Sequence, residues 1–162
     1  MVTTTQRQIS FSNEHPCARL ACPKDLSGIL HLFEASKVSR PVEPRSRADE
    51  IWLTTLNRTG VSVFVSEAVR SIVATCMLIV APNLLRGGRQ HGFIENVVTH
   101  PNFRGRGHGS AVLAAALDQA WQHDCHHVLL QSGRADECVH AFYEKAGFVP
   151  GLRTGYAAVR PS

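Results

Sequence analysis

Residues 94–117 read IENVVTHPNFRGRGHGSAVLAAAL, and three different signals follow one another in that run. The first is an apolar, β-rich segment (GFIENVVTH, 92–100) that carries Glu95 and Asn96 in its middle and is closed by Pro101. The second is Arg104-Gly105-Arg106-Gly107-His108-Gly109. The third is a helical pattern, with Leu113, Ala116, Leu117, Ala120 and Trp121 at i, i+3, i+4, i+7 and i+8. An arginine–glycine segment belonging to a disordered nucleic-acid tail would have flanks of its own kind. This one is wedged between a strand and the strongest amphipathic helix of the chain. It therefore reads as a folded strand–loop–helix connection.

What such a loop holds follows from general physics. Small residues at 105, 107 and 109 let backbone N–H groups turn toward one anion without Cβ clashes. A helix starting near Gly107 adds unpaired N–H groups and a partial positive charge. Arg104 and Arg106 raise the local potential further. A phosphate or pyrophosphate suits this cradle; the alternative is a tight strand-to-helix turn with incidental arginines. Two familiar phosphate loops are excluded by spacing. No Lys precedes Ser110 as a Walker loop requires, and a dinucleotide fingerprint would need glycine, not serine, at 110.

Outward from this centre the pattern is mixed. ARLACPKD (18–25) predicts a short strand, and Leu26, Ile29, Leu30 and Phe33 predict a helix over Leu26–Ser36. RPVEP interrupts the chain, and a second helix is expected over 46–57, stopped by Gly60. Strands are expected over Val61–Ala68 and 71–80, joined by a tight turn near Val69 and Arg70. After residues 92–122, a buried strand (126–132) and a helix (136–146) ending before Gly147 follow. The tail FVPGLRTGYAAVRP is expected to add one or two short strands. The fold class is α/β: a mixed, mostly antiparallel central sheet flanked by helices, in one domain over 1–162 with a loose N-terminal segment over 1–15.

Composition narrows the function. The 162 residues are 44% hydrophobic and 19% charged, which is a globular balance. A net charge of +4 tolerates an anionic partner but does not specify nucleic acid, and 7% aromatics in core-like patterns do not make an RNA- or DNA-stacking face. MVTTTQRQIS has no apolar run of the kind a secretory leader carries, so none is expected, and the longest apolar run, 73–81, is far short of a membrane span of about 20 residues. A cytoplasmic protein without a membrane partner is the expectation. The five cysteines make no CxxC pair, so neither a disulfide framework nor a zinc site is expected. HDCHH (123–127) reads as a helix-end loop entering a strand, not as a metal site.

The run VVTHPNFRGRGHGSAVLAAAL resembles the acetyl-CoA signature of the GNAT acetyltransferases, Arg/Gln-x-x-Gly-x-Gly/Ala, matched here by Arg104, Gly107 and Gly109. HAFYEKAGF (140–148) resembles the same family's second hallmark, and IENVVT is similar to the small-amine branch that includes glucosamine-phosphate acetyltransferases. The resemblance spans about residues 17–158. It implies direct acetyl transfer from acetyl-CoA to an amine in a ternary complex, without a metal. It implies that Arg104, Gly105, Arg106, Gly107, His108 and Gly109 hold the pyrophosphate. Val97, Val98 and Thr99, at a bulge, present backbone N–H groups to the thioester. Asp136 stands where many members carry an Asn that reaches the pantetheine. Tyr143 maps to the general acid that protonates the leaving thiolate.

An alkyl amine arrives protonated, so a base or an anchor for its ammonium is required. Glu95, a carboxylate in mid-strand, is the candidate for either role. The loop NLLRGGRQH (83–91) places Arg86 and Arg89 just upstream, where they either bind an anionic acceptor or stand as solvated charge; Arg134 and Arg153 are further candidates. His100 and His108 read as solvated loop residues. The expected partner is a small-molecule amine, with a homodimer left open. The alternatives are a protein or peptide amine as acceptor, or a non-catalytic CoA-binding domain; retention of both Glu95 and Tyr143 argues against the second.

Overall fold

The computed structural model describes residues 15–133 and 136–160, so the segment expected to be loose lies, apart from His15, outside the described residues. Nine elements follow in order: β1 (Arg19–Leu20), α1 (Leu26–Ser36), α2 (Arg45–Leu56), β2 (Val61–Ala68), β3 (Ser71–Ala81), β4 (Gln90–Thr99), α3 (His108–Gln122), β5 (Cys125–Leu130) and α4 (Glu137–Lys145). The sheet runs β1-β2-β3-β4-β5, antiparallel except for the parallel pair β4–β5. That change of sense is dictated by α3, a crossover long enough to return the chain to its starting end.

The hairpin between β2 and β3 closes through Val69 and Arg70, both at positive φ (50° and 60°). Two left-handed residues make the turn whose twist matches the flanking strands. The first strand is shorter than its sequence suggests. Pro23 cannot donate to a ladder, and Pro23–Asp25 forms a 3-10 turn instead. Arg19 bridges this turn to the sheet, bonding Asp25 at 2.7 Å and also pairing with Glu67.

Strand alternation sorts the core onto two faces. Phe64, Ala74, Cys76, Leu78 and Ile94 pack under α3 through Val112, Leu113, Ala116 and Ala120. Val63, Val65, Ile72 and Val98 pack under Leu26, Ile29, Leu32 and Trp52 of the first two helices. The stripe of α3 is turned slightly from the expected one. Val112 is fully buried while Trp121 is 51% exposed, because Ala120 and not Trp121 faces the sheet in the last turn.

The tail corrects a second expectation, since the described residues 148–160 contain no strand. A strand persists only where a neighbour completes its ladder, and among the described residues nothing pairs with the outer edge of β5. Leu152, Tyr156 and Val159 are left largely exposed.

Candidate active site

The site begins where β4 parts from β5. Their pairing ends at Ile94 opposite Leu130, and β4 continues through Thr99 with β3 as its only strand partner among the described residues. Within that continuation Glu95 pairs with Met77 and Val98 with Thr75, so β4 spends one residue more than β3. The extra residue is accommodated at Asn96, at φ 53°. Such a bulge re-aims side chains. Glu95 leaves on the face of α1 and α2 with its register partner Met77, whereas Val97 turns to pack against the α3 cluster. Without the bulge, both would leave on one face.

The divergence opens a cleft of about 1740 Å³. One wall is the backbone of 95–99; the other is the end of β5 and the α4 face bearing Asp136, Phe142 and Tyr143. Arg104, Gly105, Gly107 and Gly109 close one end, and the α1–α2 connection (37–44) overhangs with Lys37 and Arg40. Glu95 is exposed in this cleft, and its carboxylate has no hydrogen bond or ion pair among the described residues. Tyr143 is half-buried beside Phe142 and Phe148, at ring distances of 5.1 and 6.2 Å.

The glycine loop is built as a turn into α3. Gly107 is the N-cap, at φ 89°, and offers no side chain to the first-turn N–H groups. Those donors, beside Arg104 and Arg106, fit a pyrophosphate. Arg106 itself lies over the Phe103 ring, 5.2 Å from its centroid. Gly109 is needed for a different reason: a Cβ there would come within 2.8 Å of Thr99 Oγ1 and 3.4 Å of Phe142. It lets helix, strand and α4 meet at one point.

Three expected residues are placed differently. His108 is 7% exposed, not solvated, with Nδ1 2.9 Å from Ser66 Oγ. As the first residue of α3 it points down onto β2 and ties the loop to the sheet. Arg86 and Arg89 do not line the cleft. They stand toward the opposite end of β4, where Arg89 is paired with Asp124 at 2.8 Å. Asp136 lines the cleft but also caps α4, accepting from the Cys138 N–H at 2.9 Å. Arg153 lies by the histidines that begin β5, and Arg134 falls outside the described residues. The cationic overhang, Lys37 and Arg40, was missed in the sequence. Its signal was the basic, proline-rich segment KVSRPVEPR between two helices. No group of three His, Cys, Asp or Glu side chains among the described residues is arranged to hold a metal ion.

Burial, and secondly the charge of Arg106, pushes the His108 imidazole below its ordinary value near 6.5. The folded state thus favours the neutral ring, and the unfolded chain binds more protons as pH falls. That part of the stability is present above about pH 6.5 and lost below it. Thermal melts from pH 7 to 5, above the range in which Asp25, held low by Arg19, takes up its proton, should show Tm falling with pH. His108→Gln should flatten that slope; an unchanged slope would contradict this account.

Residues 26–148 match the model of the Acetyltransferase (GNAT) family. A glucosamine 6-phosphate N-acetyltransferase of Trypanosoma brucei brucei is 36% identical, over 76% of this chain and 82% of that protein. A solved chain from Agrobacterium tumefaciens str. C58 superposes with a TM-score of 0.82 at 39% identity, covering 88% of this chain and 99% of its own. The glucosamine-6-phosphate N-acetyltransferase of Arabidopsis thaliana, 21% identical, shares the fold with a TM-score of 0.78 over 91% of this chain and all of its own. With the split strands, the uncapped helix and the family match in agreement, the chain belongs to the GNAT family and is an acetyltransferase.

Proposed function

We propose that the protein moves an acetyl group from acetyl-CoA to the primary amine of a small molecule bearing a phosphate or carboxylate, by direct attack in a ternary complex. The observation that carries this reading is the single cleft that holds Glu95, Tyr143 and the start of α3. When bound, acetyl-CoA supplies a thioester carbonyl as electrophile. The backbone N–H groups of α3 and the side chains of Arg104 and Arg106 hold its pyrophosphate. The stretch Val97–Thr99, released from β5, turns backbone N–H groups, that of Thr99 among them, toward the charge that develops on the carbonyl oxygen, while Val98 stays in the ladder with β3. Each such preorganised donor contributes roughly 3 kcal/mol to transition-state stabilisation.

Glu95 receives the ammonium and takes its proton, directly or through a water, freeing the lone pair for attack. As the C–N bond forms and the C–S bond breaks, Tyr143 gives its phenolic proton to the thiolate sulfur, the acylated nitrogen releases its second proton to solvent, and Tyr143 regains a proton from the same source. Lys37 and Arg40, with no ion-pair partner among the described residues, attract the acceptor's anionic group. An amino sugar phosphate, the substrate named for the Trypanosoma relative, has this combination of amine and anion.

A thiol-release screen of amines against acetyl-CoA tests the reading. Small phosphorylated or carboxylated amines should lead. Lys37→Ala with Arg40→Ala should raise KM for them by about tenfold, the loss expected from about 1.4 kcal/mol of binding, and leave neutral amines unaffected. Glu95→Gln should lose most rate at lower pH, where more of the amine is protonated. Preference for peptide N-termini would overturn the acceptor class.

A further inference from the structure

Outside the cleft, at the other end of the parallel pair, lies a cluster that acetyl transfer does not use. His91 of β4 and His127 of β5 are register partners, with ring centroids 4.6 Å apart. His126 joins them, its Nδ1 3.0 Å from Nδ1 of His127. Nε2 of His91 and Nε2 of His127 are both shielded from solvent and without a hydrogen-bond partner among the described residues. A buried imidazole nitrogen left unpaired is costly, and two such atoms on neighbouring strands mark a place built for a ligand.

The surrounding charge gives the ligand its sign. Arg86 and Arg153 act on both His126 and His127, whereas Arg89 is neutralised by Asp124. Burial, followed by these guanidinium charges, holds both rings below the ordinary imidazole range. A metal cation would face two unpaired arginines. An anion with several oxygens can instead accept from imidazole N–H groups and from guanidinium forks together.

We infer that His91, His127, Arg86 and Arg153 form an oxyanion site for a phosphate group at the start of β4 and β5. It stands apart from the acetyl-transfer reading. His91 lies four residues before Glu95, about 13 Å along the strand, and none of these four side chains lines the cleft.

Sulfate, which stays a dianion across neutral pH, is the probe. Histidine ring NMR signals of the full chain are followed during sulfate titration, with chloride holding ionic strength constant. Saturable shifts of His91, His126 and His127 are expected. Binding should strengthen as pH falls from 7.5 to 5.5, because the bound dianion offsets the field of Arg86 and Arg153 and lets the rings take up protons; Asp124 remains engaged by Arg89. His127→Gln and, separately, Arg153→Gln should each weaken sulfate by about tenfold and leave the circular dichroism spectrum unchanged. Inorganic phosphate should compete with sulfate. Competition by phosphate monoesters as well as by inorganic phosphate shows that the site takes a phosphate group whatever carries it, whereas competition by inorganic phosphate alone assigns the site to free phosphate. Linear shifts matched by chloride, or folded variants with wild-type affinity, would overturn the inference.

Discussion

Tyr143→Phe is expected to lower kcat by at least about a hundredfold while changing KM for acetyl-CoA little. A proton donated to the departing sulfur acts in the transition state and not in ground-state binding, and positioned acids of this kind contribute about 10²–10⁴-fold. Phe keeps the ring that packs beside Phe142 and Phe148, so the aromatic packing is preserved and the hydroxyl is removed. The measurement is steady-state kinetics at saturating acceptor, with a burst experiment to establish that chemistry limits turnover. A thiol of lower pKa needs its proton less, so a cofactor analogue with a better leaving group should recover part of the lost rate. Unchanged turnover with chemistry rate-limiting would remove Tyr143 from the role of acid, leaving it as a wall of the cleft.

Gly107→Val should weaken binding of CoA by about a hundredfold or more while the sheet and helices persist. At φ 89° a side chain is disfavoured by about 1–2 kcal/mol, and a β-branched one by more. The Cβ would also approach Pro16 Cγ to 3.3 Å. The loop then relaxes, and the first-turn N–H groups of α3 no longer converge on one anion. Gly109 is unsuitable for the same test. It packs against Thr99 and Phe142, so a larger side chain there disrupts the junction of three elements as well as the cradle. Titration calorimetry with CoA, alongside circular dichroism, separates the two effects. A folded Gly107→Val protein with wild-type affinity would place the pyrophosphate elsewhere.

Legibility varied along the chain for physical reasons. Leu26–Ser36 and Val61–Ala68 are helix and strand as their periodicity predicts, because a pattern of burial repeats at the period of the element that creates it. The loop RGRGHG and the helix after it were equally plain, since left-handed turns and uncapped helix starts restrict residue type locally. The tail was not legible. Its β-rich letters describe a strand only if an edge accepts it, and acceptance is decided by residues distant in sequence. His108 was misread for a similar reason: a histidine next to glycines looks solvated until Ser66, 42 residues earlier, is brought beneath it.

By itself, the sequence determined most of the element types, the order of the crossover and the family, all of which rest on local pattern and chemical identity. The tertiary structure alone decided which charges face the cleft. Arg86 and Arg89, near Glu95 in sequence, were carried away along an extended strand that advances about 3.3 Å per residue, and Arg89 was paired with Asp124. Lys37 and Arg40, more than fifty residues from Glu95, were brought to the same cleft by the connection between two helices. Charges act through space, and only the fold converts separation along the chain into distance.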